Sequence, residues 1–362
     1  MSSKFKGMID IQTPTKYNKV RNKKEDRKKL KQIALTGLKP TGPPHIGNYL
    51  GMLKPSLELA ENYQALYFIP DYHALTTVRD GKELANLTYQ ATAAWIALGL
   101  DPDEVIIYRQ SDIPEVFELA WVLSCFTAKG LLNRSHAYKA IVDDNIAAGR
   151  EDDKNINIGL FTYPVLMAAD ILLFGTHVVP VGLDQQQHLE ITRDVALTFN
   201  NTYGNVLTIP EAVIRKEVMT IPGIDGRKMS KSYNNVIPIF APSNEVLKPV
   251  KRIVTDSLRP EEPKDPDACN IFAIYQHFAD ADAVAAKRKL YLDGGLAYGA
   301  MKQELFELLE STFSSKRDRY NALMDNTNEL DKILENGAEK ARAIAAPIIA
   351  KVRKAVGVNA TR

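Results

Sequence analysis

Short uncharged runs of β-branched and aromatic residues alternate along this chain with longer stretches whose apolar residues recur every three to four positions. Residues 33–36, 66–69, 105–108 and 177–181 are predicted strands, each bounded by Gly, Pro or Asp. Between them, residues 48–62, 82–98, 115–127 and 161–174 carry helical periodicity and are long enough to serve as crossover helices. Strands separated by helices predict βαβ units and a parallel sheet. The fold class is therefore α/β, a Rossmann-like parallel sheet with helices on both faces. Ligands in such sheets bind beyond the carboxyl ends of the strands, so the loops at 37–48, 70–73 and 182–185 are expected to converge.

Beyond Gly223 the strand pattern fades. Residues 243–325 read as helices broken at Pro260, Pro263, Pro266 and the Gly294-Gly295 pair, which predicts a smaller all-α domain. Residues 330–356 place Leu, Ile, Ala and Val at helical spacing, as a helix returning to the sheet would. The expected organisation is a basic N-terminal extension (1–32), a Rossmann-like catalytic domain (33–222), a helical domain (223–325) and a C-terminal helix packed back on the catalytic domain (326–362).

With 45 % apolar and 25 % charged residues, the 362-residue chain has the composition of a globular protein. No run approaches the roughly 18 uncharged apolar residues that a membrane span requires, so no membrane partner is expected. Cys125 and Cys269 occur outside any CxxC and are too few for an iron–sulfur cluster or a Cys-rich zinc site; a reducing, cytoplasmic setting fits. The histidines His73, His136, His177, His188 and His277 show no HxxxH or HExxH spacing, so no metal site is expected. Net charge hides an asymmetry: residues 1–31 hold eleven Lys/Arg against three Asp/Glu, while the whole chain carries only +2. The arm lacks the apolar core of a secretory signal and is too acidic and Arg-poor for a transit peptide. It reads as a solvated tail, with a nucleic-acid arm as the other reading.

Two segments carry chemistry. The first predicted strand runs into Gly37-Leu38-Lys39-Pro40-Thr41-Gly42-Pro43-Pro44-His45-Ile46-Gly47-Asn48. Glycines after a strand let backbone approach a ligand, and the following helix start offers free N–H groups to phosphate oxygens. His45 and Asn48 lie one turn apart and can face the same phosphate. Taken alone, the segment also reads as a turn with a structural histidine and an Asn cap. Neither GxxxxGK[ST] nor GxGxxG occurs. The second segment, Gly223-Ile224-Asp225-Gly226-Arg227-Lys228-Met229-Ser230-Lys231-Ser232, sets three cations among glycines and hydroxyls. That composition suits a mobile loop that neutralises a departing pyrophosphate.

Lys228-Met229-Ser230-Lys231-Ser232 resembles the KMSKS loop of class I aminoacyl-tRNA synthetases, and His45-Ile46-Gly47-Asn48 resembles their HIGH motif with Asn at the last place. Further stretches, Tyr163-Pro164-Val165-Leu166-Met167-Ala168-Ala169-Asp170 and Val179 to Asp194, are similar to the bacterial tryptophanyl-tRNA synthetase family. The resemblance spans roughly residues 33–358 and leaves the basic arm outside.

It implies a ligase that joins L-tryptophan to tRNA(Trp) through a tryptophanyl adenylate, with ATP as substrate, Mg²⁺ carried on ATP, and a homodimer. By the same resemblance His45, Asn48, Lys228 and Lys231 are catalytic. Lys39, Pro40, Thr41, Gly47, Gly182, Leu183, Asp184, Met219, Met229, Ser230 and Ser232 contact ATP. Tyr163, Met167, Asp170, Gln185 and His73 hold tryptophan. Two departures stand out: Lys39 occupies a place where the family usually has Gln, and Lys139 and Lys154 both align with a phosphate-reaching lysine.

Tyr163, Met167 and Asp170 fall at i, i+4 and i+7, on one helix face. A carboxylate above apolar atoms needs a donor, which an indole N–H supplies. The related tyrosine enzymes carry Gln at the place of Met167 and Tyr at that of Leu35, so tryptophan is favoured here. Tyrosyl-tRNA ligase, a nucleotidyltransferase without tRNA and a non-catalytic regulatory paralogue are the competing readings.

Overall fold

The computed structural model describes residues 32–182, 185–214 and 221–358. Strands β1 (Ile33–Gly37), β2 (Gln64–Ile69), β3 (Ile106–Arg109), β4 (Val178–Val181) and β5 (Glu211–Ile214) form one parallel sheet in the order β3-β2-β1-β4-β5. The chain starts at the centre, builds to one edge, then crosses to the other side. The order reverses between β1 and β4, which opens a crevice at their carboxyl ends. Four strands lie where the apolar runs predict them; β5, which follows Pro210, is additional.

β2 shows why the sheet is covered on both faces. Ala65, Tyr67 and Ile69 enter one buried cluster, while Leu66 and Phe68 enter the other. Alternate side chains of a strand point to opposite faces, and here both faces are apolar. The first cluster includes Trp95 of α1 (Gly81–Ala97); the second takes α2 (Glu115–Ser124), α4 (Ile158–Leu172) and α5 (Gln186–Tyr203). Helix α3 (His136–Ala147) lies between α2 and α4 in the chain and is largely exposed.

The predicted helix at 48–62 is broken into Ile46–Asn48, a π-helical turn Tyr49–Leu53, Lys54–Leu57 and Leu59–Asn62. Pro55 explains the break: it cannot donate to the carbonyl of Gly51, and its ring crowds that carbonyl, so the ladder widens ahead of it.

The helices after β5 are α6 (Ser243–Lys251), α7 (Asn270–Tyr275), α8 (Ala281–Asp293), α9 (Tyr298–Asp325) and α10 (Thr327–Val356). The proline-rich stretch between α6 and α7 is not helical. Helix α10 packs on the sheet edge through Ala338, Ala341, Ala345, Ile349 and Val352, a single stripe at helical spacing. Its contact with β3 is backbone-close: a Cβ at Gly337 would lie 1.7 Å from the Ile107 carbonyl oxygen. Ion pairs Arg342–Glu115 and Arg353–Glu118 tie the same helix to α2. No helix among the described residues is long and apolar enough to cross a membrane.

Candidate active site

The loop leaving β1 turns at Gly42, whose φ of +92° is available to glycine at little cost. It ends in a reciprocal cap: the Asn48 backbone N–H donates to His45 Nδ1 at 3.3 Å, and the His45 N–H donates to Asn48 Oδ1 at 3.2 Å. Because Nδ1 accepts, the ring proton sits on Nε2, which becomes a donor. Burial, helped by the nearby Lys231 ammonium, pulls the His45 imidazole down to about 4. His45 is therefore neutral at neutral pH and acts as a hydrogen-bond donor, not as a cation. The cap also assigns the Asn48 amide, leaving its NH₂ available.

The basic segment is a folded turn. Asn235, 1 % exposed, donates to Asp225 Oδ1 at 2.7 Å and to the Lys228 carbonyl at 3.1 Å, and accepts from Ser230 N–H at 2.8 Å. Gly223 permits this close packing, since a Cβ there would fall 2.3 Å from Asn235 Nδ2. Composition predicts a mobile loop, and in the structure the buried amide of Asn235 ties it to Asp225, Lys228 and Ser230.

The two segments clasp each other. Met229 is buried, and its Sδ accepts from the Gly47 N–H at 3.3 Å across 182 positions of sequence. Lys231 Nζ donates to the Thr41 carbonyl at 2.8 Å. Ile46 N–H donates to the Ile237 carbonyl at 3.0 Å, which fixes the strand-like stretch after the basic turn against the cradle. Lys228, Lys231 and Ser232 are exposed around this junction, and Lys39 Nζ lies 3.5 Å from Thr76 Oγ1. Imidazole N–H, amide and ammonium donors thus gather at one place, a donor set suited to phosphate oxygens.

On α4, Asp170 is 1 % exposed. Burial pushes its carboxyl above the usual carboxylate range, while hydrogen bonds from His73 and Gln110 pull the other way. His73 Nε2 lies 2.9 Å from Asp170 Oδ2, and Gln110 Nε2 lies 2.9 Å from both carboxylate oxygens. The sequence argument gives the carboxylate a substrate donor; the fold adds two donors of its own, because a buried charge needs partners in every state of the protein. Tyr163, one turn and more upstream on the same helix, bonds His188 Nε2 through its hydroxyl at 2.7 Å and sets its ring 6.2 Å from that of His73. Met167 packs half-buried against the apolar cluster beside it.

Gly182 N-terminal to α5 accepts from the Gln185 N–H at 3.0 Å through its carbonyl. Leu183, Asp184 and Met219 lie outside the described residues, as does the basic arm 1–31. Pro40 is buried and Ser230 caps the short turn after it by accepting from Ser232 N–H. Lys139 and Lys154 are both exposed. Sequence reasoning missed Gln110 and Asn235. Gln110 follows the last residue of β3, at the carboxyl edge where ligands bind, and that position was the available signal.

This chain is similar to proteins of known kind. The family described as tRNA synthetases class I (W and Y) matches residues 27–314. The tryptophan–tRNA ligase of Pseudomonas aeruginosa is 50 % identical over 333 residues, 91 % of this chain and 74 % of that protein. The crystal structure of tryptophanyl-tRNA synthetase from Campylobacter jejuni, complexed with ADP and tryptophan, superposes with a TM-score of 0.82 at 45 % identity, over 90 % of this chain and all of that one. The enzyme from Mycoplasma pneumoniae gives 0.75 at 28 % identity, covering 91 % of this chain and 98 % of its own.

Proposed function

Because this chain belongs to the class I tRNA synthetases of the tryptophan and tyrosine type, we propose that its two clasped motifs and the Asp170 slot activate tryptophan and charge tRNA(Trp). It is a tryptophan–tRNA ligase of bacterial type, and ATP is its second substrate. The observation that carries the residue assignment is the clasp of Gly47 to Met229 and of Thr41 to Lys231.

In the first step the tryptophan carboxylate attacks the α-phosphorus of ATP. A new oxygen–phosphorus bond forms, the bond to the bridging oxygen breaks, and pyrophosphate leaves. The attacking carboxylate is already ionised at neutral pH, so no protein base is needed. Catalysis is then positioning plus charge stabilisation. His45 Nε2–H, the Asn48 amide and the Thr41 hydroxyl address the phosphates, while Gly47, its N–H already given to Met229 Sδ, serves by putting no side chain beside the His45 ring; Lys228 and Lys231 take the charge that builds on pyrophosphate, with Lys39 at the rim. Ser230 and Ser232 complete that loop. Gly182, Leu183 and Asp184 hold the ribose, and Met219 meets the adenine. Met229, by contrast, supports the cradle from beneath. Magnesium would enter with ATP, held mostly by phosphate oxygens and water. In the second step the terminal adenosine of tRNA attacks the adenylate carbonyl and AMP leaves.

In the slot, Asp170 accepts the indole N–H, Met167 supplies apolar contact, and Tyr163 with Gln185 receives the α-ammonium beside His73. Amino-acid-dependent ATP–pyrophosphate exchange tests this: exchange with tryptophan and none with tyrosine is expected, and exchange with tyrosine alone overturns it.

The chain works as a homodimer. Trp121, 74 % exposed, and Ile158, 76 % exposed, border a groove of about 440 Å³ that Phe117, Tyr72 and Leu75 also line or flank. His73 and Tyr163 line the same groove, so a second copy seated there would brace the amino-acid slot. Trp121→Glu is expected to convert a dimer into a monomer in sedimentation equilibrium; a wild-type monomer at micromolar concentration contradicts the proposal. Residues 223–325 approach the anticodon, with Lys248, Lys251 and Arg252 exposed for phosphate contact, whereas Ile271, Phe272, Ile274 and Tyr275 are core. The substrates ATP and tRNA put the reaction in the cytoplasm.

A further inference from the structure

A short 3₁₀ turn, Gln110–Asp112, follows β3 at the carboxyl edge of the sheet. Its three side chains reach three directions. Gln110, fully buried, donates through Nε2 to both oxygens of Asp170 and accepts through Oε1 from the His73 N–H at 3.4 Å. Ser111 binds both oxygens of Asp71 through its N–H and hydroxyl, two residues before His73. Asp112 accepts from Arg109 Nε, and Arg109 reaches Asp331 at the start of α10, where Tyr89 of α1 also donates. The turn therefore holds the His73 segment and the slot carboxylate from one rigid base.

The amide of Gln110 has no freedom to flip. Reversed, it would set an oxygen against the carboxylate and an NH₂ against a backbone N–H. In its observed sense it sits evenly between the Asp170 oxygens, 2.9 Å from each, while His73 occupies Oδ2. A carboxylate has about four lone-pair directions, so Oδ1 retains acceptor capacity. A neutral amide also leaves the charge on Asp170 uncancelled, which an arginine or lysine in its place would not.

We propose that Gln110 is a positioning residue for amino-acid selection: its amide locks Asp170 and the His73 backbone in one geometry and leaves Asp170 Oδ1 as the acceptor for the ring N–H of the substrate. This rests on the reading of Asp170 as the indole acceptor.

The test uses the full-length protein in ATP–pyrophosphate exchange, with tryptophan and with its isostere 3-benzothienylalanine, in which sulfur replaces the ring N–H. Gln110→Leu removes the donor. It is expected to raise KM for tryptophan by about 10- to 100-fold, the loss typical of a buried polar group deprived of its partner, and to shrink the preference for tryptophan over the isostere while KM for ATP stays within twofold. Gln110→Glu supplies a readout that a merely structural role would not move. The new carboxyl repels Asp170 when ionised and donates to it when protonated, so KM for tryptophan should fall as pH is lowered from 8 to 6. The titratable groups facing Asp170 are His73, Asp71 and Tyr108; all three are retained in the variant, and the wild-type profile controls for them. Gln110→Asn, which keeps the amide but withdraws it by one methylene, should fall between wild type and Leu and serves if Leu does not fold. Unchanged tryptophan KM and isostere preference in these variants, with Asp170→Asn impaired, overturns the role of Gln110 alone. An Asp170→Asn enzyme with wild-type preference overturns the reading beneath it.

Discussion

Replacing Asp170 with asparagine should lower kcat/KM for tryptophan by about 10³-fold in pyrophosphate exchange and leave KM for ATP nearly unchanged. The substitution keeps the shape of the side chain and removes its charge. Three N–H donors, from Gln110, His73 and the indole, would then compete for a single carbonyl oxygen, and the new NH₂ would face one of them. Each buried donor left unpaired costs about 1–3 kcal/mol, so two such losses reach the stated factor. The pH dependence has a fixed sign. Burial holds the Asp170 carboxyl above the usual range, and only its ionised form accepts the indole N–H. Tryptophan affinity should therefore decline on acidification at a higher pH than an exposed aspartate would produce.

Lys231→Ala should reduce kcat for adenylate formation by about 10²- to 10³-fold with little change in KM for tryptophan, as expected for loss of a group that meets charge only as it develops. Lys231 Nζ sits 2.8 Å from the Thr41 carbonyl, next to Gly42, so its ammonium already stands at the rim of the phosphate cradle. Its neighbour His45 is neutral and cannot replace the lost charge. Single-turnover adenylate formation measures the effect; a rate within threefold of wild type would remove Lys231 from the mechanism. Lys231→Arg keeps the charge on a broader fork and should recover only part of the rate.

Much of this was legible in the sequence because it depends on local pattern. The β-branched runs of β1 to β4, the glycine loop before His45 and the basic turn at Lys228 are contiguous signals, and the i, i+4, i+7 spacing put Tyr163, Met167 and Asp170 on one face. What was not legible depends on partners far apart in the chain. The strand β5, four residues beginning with Glu211 at the sheet edge, carries only the three apolar residues Ala212, Val213 and Ile214 between charged neighbours, too short a run to mark it. The break ahead of Pro55 reflects one missing donor within an otherwise helical pattern. Asn235 and Gln110 are polar residues in ordinary turn sequences, and their importance comes from burial and from bonds that only the fold creates. Met229, expected among the ATP contacts, is buried with its Sδ on the Gly47 N–H.

The central claim is that one buried carboxylate selects the substrate by its ring nitrogen. Steady-state exchange by the wild-type protein, with tryptophan and with 3-benzothienylalanine in parallel, tests it most directly. The account predicts that kcat/KM for the sulfur isostere falls at least about 10²-fold below that for tryptophan. Equal values for the two amino acids would contradict it.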